Sequence, residues 1–118
     1  MATISTHTLN SVDGTHAGGI ALSVIAIAAD QSRKTLLTGE TDSGGRFVQE
    51  VAAADIDIGA DYELVLLVAP YFESCHQGDA KGRSLKEVVV RFQMPDPEGR
   101  YHMPFMLAPN SYSVWSSR

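Results

Sequence analysis

Short stretches of apolar or alternating residues run along the chain, separated by turn-forming residues, and none keeps the 3.6-residue period of a long helix. In the segment 86–94, apolar side chains occupy every second position, which gives a strand one buried face. A run of apolar residues at 20–29 is typical of a central strand. The pattern predicts eight strands, at residues 4–9, 20–29, 35–41, 46–51, 61–69, 86–94, 101–108 and 111–116.

The break between the strands at 61–69 and 86–94 predicts one short helix. It begins at Pro70, which costs little in the first turn of a helix, and continues to about Gln77. About eight strands and a single short helix are typical of an antiparallel Greek-key sandwich. We therefore predict an all-β fold.

Two positions in this pattern carry candidate chemistry. The adjacent glycines Gly44 and Gly45 are a strong hairpin signal, so Arg46 begins the returning strand and is at least partly exposed. In the strand at 101–108, alternation directs His102 away from the core face. An unpaired imidazole within an apolar strand is costly, so His102 needs a partner or a wet cavity.

Composition limits the class of protein. The 118 residues fit a single domain spanning 1–118, and the 44% apolar and 19% charged content is that of a globular chain. The net charge is -5 and the basic residues are scattered, which argues against nucleic acid as a partner. Cys75 is the sole cysteine, and neither a signal peptide nor a long apolar run is visible. We expect a cytoplasmic protein with no membrane partner.

Common catalytic and cofactor signatures are missing from the sequence. It has no phosphate-binding glycine loop, no His-Glu-x-x-His helix, no Cys-x-x-Cys pair and no Gly-x-Ser-x-Gly elbow. The spacing of the four histidines gives no metal-ligand pattern. We expect neither a metal nor a cofactor.

Three blocks resemble the signature blocks of the 5-hydroxyisourate hydrolases, the bacterial relatives of transthyretin. They are ISTHTLN at 4–10, TDSGGR at 41–46 and YHMPFMLAP at 101–109, and they occur in the order of the family with similar spacing. Tyr112 and Ser113 continue the match into the last strand. The resemblance covers nearly the whole chain, and it implies a transthyretin-like sandwich.

The resemblance also implies an activity and a site. In that family the equivalents of His7, Arg46 and His102 form the active site. The implied reaction opens a cyclic amide of 5-hydroxyisourate in urate degradation, with water activated by a histidine and no cofactor. An arginine can bind the oxygens of the substrate and stabilise the negative charge that develops when water attacks the amide carbon. Family members are homotetramers, dimers of dimers, so the same assembly is implied here, with a small heterocyclic substrate.

The C-terminal tail departs from the family pattern. The hydrolases typically end in Tyr-Arg-Gly-Ser, whereas this chain ends in Trp115, Ser116, Ser117 and Arg118, which are the expected substrate-binding residues. Since buried polar groups determine which close analogues a pocket rejects, this change bears on the substrate. At His16 the family usually has a proline, and we expect a loop residue there.

Two alternatives to hydrolysis of 5-hydroxyisourate remain open. The altered tail suggests a diverged enzyme acting on another heterocycle, for example in secondary-metabolite biosynthesis. The second alternative is a non-catalytic module that binds a small ligand, because transthyretin itself is a carrier without these catalytic residues. Retention of two histidines and an arginine favours an enzyme.

Overall fold

The structure is a computed structural model that describes residues 1–78 and 84–117. Within these residues are nine strands, one α-helix and a 3-10 turn at Ala53–Asp55. The helix is α1 (Val68–Ser74). The strands are β1 (Ala2–Asn10), β2 (Thr15–His16), β3 (Ala21–Ile27), β4 (Arg33–Glu40), β5 (Arg46–Val51), β6 (Asp61–Leu67), β7 (Glu87–Phe92), β8 (Arg100–Ala108) and β9 (Ser111–Val114).

The strands form two sheets. The first contains β2, β1, β8 and β9 in that order, and β5 pairs with β1 beside β2. The second has the order β4, β3, β6, β7. All pairings are antiparallel except that of β1 with β8, which is parallel. The predicted all-β, transthyretin-like sandwich is confirmed. It is not wholly antiparallel as predicted, because β1 and β8 are parallel, and it has a ninth strand, β2, that alternation does not reveal.

The core lies between the two sheets. Tyr62, Phe72 and Phe105 are among the largest fully buried side chains, and they belong to β6, α1 and β8. Burial of apolar area on this scale is the main stabilising contribution to such a fold. On β8 the buried residues include Met103 and Leu107, as the alternation predicted, so His102 lies on the opposite face of the strand.

The inner face of β1 is partly polar. Thr6, Thr8 and Asn10 are buried there, and each side chain is hydrogen-bonded: Thr6 Oγ1 donates to the Met103 carbonyl at 2.7 Å, for example. Buried polar groups are tolerated when they have such partners. The inner residues of β1 therefore fix the strand, and its outer residues remain available for chemistry.

The helix differs from its predicted bounds at both ends. The helix begins at Val68, two residues before Pro70, and ends at Ser74 instead of Gln77. The proline still lies in the first turn, where its missing N–H leaves no helix bond unmade. The helix stops because His76 adopts a left-handed conformation, with φ of 53°. No helix in the described residues is long and apolar enough to cross a membrane.

Candidate active site

Strand pairing brings the three predicted catalytic residues to one face of the first sheet. In the antiparallel ladder between β1 and β5, His7 lies opposite Arg46. In the parallel ladder between β1 and β8, Ser5 lies opposite His102. Residues that oppose each other in a ladder share a face, and so do positions i and i+2 of one strand. His7, Arg46, His102 and Ser5 therefore lie together on the outer face, the side of the sheet turned away from the core.

The turn between β4 and β5 positions Arg46. Asp42 Oδ1 accepts hydrogen bonds from the backbone N–H groups of Gly44 and Arg46, both at 2.9 Å. Gly45 has a φ of 74°, and a Cβ built there would lie 2.3 Å from the Thr8 carbonyl oxygen. Only glycine fits this backbone without strain. The turn thereby holds Arg46 directly opposite His7.

His7 is half-buried and held at one ring nitrogen. Its Nε2 lies 3.1 Å from the Gly44 carbonyl oxygen and 3.1 Å from Nδ1 of His16. Burial, and then the positive charge of Arg46, lower the pKa of His7 below its ordinary value. The Gly44 hydrogen bond acts in the opposite direction, and charges on His16 and His102 lower this pKa further. Near neutral pH, His7 is accordingly an uncharged imidazole.

His102 is held by a hydroxyl group instead of a carbonyl. Its Nδ1 lies 2.8 Å from Ser5 Oγ, across the parallel ladder. A hydroxyl can both donate and accept, so either neutral tautomer of His102 can be paired there. In the described residues, Nε2 of His102 has no hydrogen-bond partner. Two imidazoles, each with one held and one free nitrogen, can take up and deliver protons.

The tail residues separate into two groups. Ser117 forms an isolated bridge with His102, in which the Ser117 N–H donates to the His102 carbonyl at 2.9 Å. Trp115 and Ser116 instead line a cavity of about 240 Å³ on the core side of β8, beside Tyr101. Arg118 lies outside the described residues. A substrate-binding role for the tail stays a prediction.

Three contributors to this site escaped sequence analysis. Ser5 precedes His7 by two residues, so alternation along β1 already put both on one face. The Gly44 carbonyl gives no sequence signal at all. The loop expectation for His16 is wrong: this residue belongs to β2, pairs with Leu9 and stacks on His7, with ring centroids 5.2 Å apart.

No cluster of three or more histidine, cysteine, aspartate or glutamate side chains in residues 1–78 and 84–117 is arranged to hold a metal ion. The outer face offers three imidazoles, those of His7, His16 and His102, and the guanidinium of Arg46. This set is suited to acid–base chemistry on a neutral or anionic small molecule.

The chain is similar to known proteins along almost its whole length. Residues 4–116 match the model of the HIUase/Transthyretin family. A 5-hydroxyisourate hydrolase of Deinococcus radiodurans is 30% identical over 112 residues, 95% of this chain and 92% of that protein. The structure of 5-hydroxyisourate hydrolase from Klebsiella pneumoniae aligns over all of both chains, with a TM-score of 0.79 and 25% identity. Sea bream transthyretin, solved in complex with thyroxine, has a TM-score of 0.82 and 25% identity, covering 97% of this chain and 93% of that one.

Proposed function

The chain belongs to the HIUase/Transthyretin family, and from that membership and the outer-face geometry we propose that it hydrolyses 5-hydroxyisourate. The single observation that carries the proposal is the grouping of His7, Arg46 and His102 on one face, in the register of two adjacent ladders. A carrier has no evident need for two imidazoles with free nitrogens beside a guanidinium. The relatives named 5-hydroxyisourate hydrolase support the same reaction.

In the proposed reaction His7 is the general base. Because a carbonyl oxygen can only accept, the 3.1 Å contact with Gly44 assigns the hydrogen of neutral His7 to Nε2. Its Nδ1 then carries the lone pair and takes a proton from water. The water oxygen bonds to the cyclic amide carbon and gives a tetrahedral oxyanion. A base whose pKa lies below the working pH is already in its reactive form.

His102 is the proposed acid. As the acid, His102 acts in its imidazolium form, in which Nδ1–H donates to Ser5 Oγ and Nε2 carries the second hydrogen. As the carbon–nitrogen bond of the substrate ring breaks, the nitrogen takes the Nε2 proton and His102 is left as a neutral imidazole. The proton gained by His7 leaves to solvent, and His102 regains one from solvent. Atoms and charge balance without an added reactant.

Arg46 is the proposed anion-binding group. Its guanidinium is permanently charged and has five N–H donors, which can hold carbonyl oxygens of the substrate and stabilise the oxyanion. In the folded chain it lies on an exposed strand position opposite the base. Together with burial, which has the larger effect, the same charge lowers the pKa of His7, so one residue serves both substrate and base.

We also propose that a second copy of the chain completes the site. The outer face is open in a single chain, with Arg46 exposed and both histidines half-buried. An open face leaves substrate in water, where electrostatic stabilisation is weak. A homotetramer, built as a dimer of dimers, would enclose the site between two copies.

The activity is tested by generating 5-hydroxyisourate from urate with urate oxidase and following the decay of its ultraviolet signal. We expect wild-type protein to accelerate decay. His7→Asn, His102→Asn and Arg46→Gln should each lower kcat/KM by about 100-fold or more, the range in which a lost acid–base or oxyanion contact falls.

His76→Asn is the matched control, since it removes an exposed histidine two residues after the end of α1 and should leave the rate unchanged. Decay in the presence of wild-type protein at the spontaneous rate would refute the proposed substrate. Full activity in all three site variants would refute the proposed residues.

A further inference from the structure

His16 is the third histidine of the outer face. It lies opposite Leu9 in the β1–β2 ladder and therefore on the same side of the sheet as His7. Its ring stacks on that of His7 at 5.2 Å between centroids and 25° between planes. Its Nδ1 lies 3.1 Å from Nε2 of His7, the nitrogen that also contacts Gly44.

The Gly44 carbonyl decides how hydrogens are distributed over the two rings. It accepts only, so Nε2 of neutral His7 carries the hydrogen and Nδ1 carries the lone pair. Because Nδ1 of His16 faces that same N–H group, it contributes a lone pair to a shared hydrogen bond, and the hydrogen of His16 lies on its own Nε2. The alternative, a hydrogen on Nδ1 of His16, would point one N–H at another.

We propose that His16 is a positioning residue for His7. By stacking on the ring and sharing its Nε2–H with the Gly44 carbonyl, His16 holds the tautomer and orientation in which Nδ1 of His7 faces substrate as the base. In the described residues, Nδ1 of His7 has no hydrogen-bond partner. The inference rests on the proposed function, in which His7 accepts the proton of water.

The contact depends on the charge of His16. A proton added at its Nδ1 would meet the N–H of His7, so the shared hydrogen bond exists only while His16 is neutral. The charged or titratable groups around His7 are Arg46 from β5, His16 from β2 and His102 from β8, and a positive charge on any of them lowers the pKa of His7. Loss of His16 removes one of these influences and some of the burial, and the pKa of His7 then rises.

The pKa of His7 determines how activity depends on pH when His16 is removed. A base works when it is unprotonated, so a higher pKa means that activity is lost at a higher pH as the solution is acidified. Removal of His16 should therefore move the acidic limb of the kcat/KM profile upward in pH. A role confined to packing would lower the rate equally at every pH.

The experiment compares three variants of the full chain. His16→Phe keeps an aromatic ring on His7 but has no acceptor and no charge. His16→Asn keeps a short acceptor and cannot titrate. The matched control, His76→Asn, removes a histidine at a position with φ of 53°, which asparagine tolerates. Hydrolysis of 5-hydroxyisourate is measured as a function of pH, and long-range proton–nitrogen NMR spectra report the tautomer of His7, assigned with His7→Gln.

We expect His16→Phe to lower kcat/KM about fivefold at neutral pH, the equivalent of one net hydrogen bond. In this variant the acidic limb of the kcat/KM profile moves to higher pH, and the population of the Nε2–H tautomer of His7 falls. His16→Asn should retain more activity and more of that tautomer than His16→Phe, and His76→Asn should match wild type.

An unchanged tautomer and an unchanged acidic limb in His16→Phe would overturn the inference. A different outcome would be that the wild-type protein fails to hydrolyse 5-hydroxyisourate while His16→Phe loses the Nε2–H tautomer of His7. That outcome would support the positioning role and overturn the proposed substrate. The NMR measurement needs no substrate, so the two failures are distinguishable.

Discussion

At the scale of single residues, the two proposed catalytic imidazoles differ in the group that holds them. His7 is bonded to a carbonyl, which fixes one tautomer, whereas His102 is bonded to the hydroxyl of Ser5, which can rotate. A fixed tautomer suits a base that has one task. A hydroxyl partner lets His102 deliver a proton and then regain one without losing its hydrogen bond.

Ser5→Ala tests this division of roles. It removes the partner of Nδ1 in His102, and we expect kcat to fall about fivefold, since a net hydrogen bond is worth about 1 kcal/mol. KM should change little, because Ser5 acts through His102 and not on substrate. Steady-state kinetics with 5-hydroxyisourate measure both constants.

Thr3→Ala is the control for Ser5→Ala. Thr3 lies on the same face of β1, two residues further from His7 than Ser5, opposite Arg100. It should behave as wild type. A rate for Ser5→Ala equal to that of Thr3→Ala would mean that the hydroxyl does not orient His102.

At the scale of elements, the turn between β4 and β5 sets the register that aligns Arg46 with His7. Asp42 caps two backbone N–H groups of the turn, and the Gly45 carbonyl accepts a hydrogen bond from Thr8 N–H at 2.7 Å. The turn is thus tied to β1 as well as to β5. A shift of one residue here would move every side chain of β5 to the opposite face.

Gly45→Ala should be markedly destabilising. Both a φ of 74° and a Cβ 2.3 Å from the Thr8 carbonyl oppose alanine, and we expect a loss of about 3 kcal/mol in the free energy of unfolding. The comparison is Gly14→Ala, where φ is 77° but no atom lies within 4 Å, so only the backbone cost of about 1 kcal/mol applies.

Urea denaturation measures both variants. Equal midpoints for Gly45→Ala and Gly14→Ala would show that the Thr8 contact relaxes without cost.

Much of this arrangement could be predicted from local pattern, and the rest depends on pairing. Alternation in 101–108 assigned His102 to the face opposite the core, and the glycine pair located Arg46 at the start of β5. Pairing of β1 with β8 joins residues 97 positions apart, which no local period encodes. His16 was missed because a strand of two residues has no period, so the ladder with Leu9 alone defines it.

At the scale of the whole molecule, the outer sheet face that carries the site also exposes apolar side chains to water. Val48 opposite Ser5 is 66% exposed, and Met106 opposite Leu9 is 36% exposed. Exposed apolar side chains grouped around polar catalytic ones are typical of a surface that another chain covers. This is the physical support for the proposed tetramer, in which two copies would enclose His7 and its neighbours.

Met106→Glu tests that assembly. A carboxylate in the covered face would be desolvated without a partner, so we expect the species of higher mass to dissociate to dimers, measured by light scattering with size exclusion. Activity should fall with the dissociation, because the site loses its cover, while the circular dichroism spectrum stays that of the β-sandwich. Ile58→Glu makes the same change at a side chain 59% exposed outside the strands and should leave mass and rate unaltered. If Met106→Glu remained fully active as a smaller species, a single sheet face would be sufficient for hydrolysis, and the second copy would have no part in the site.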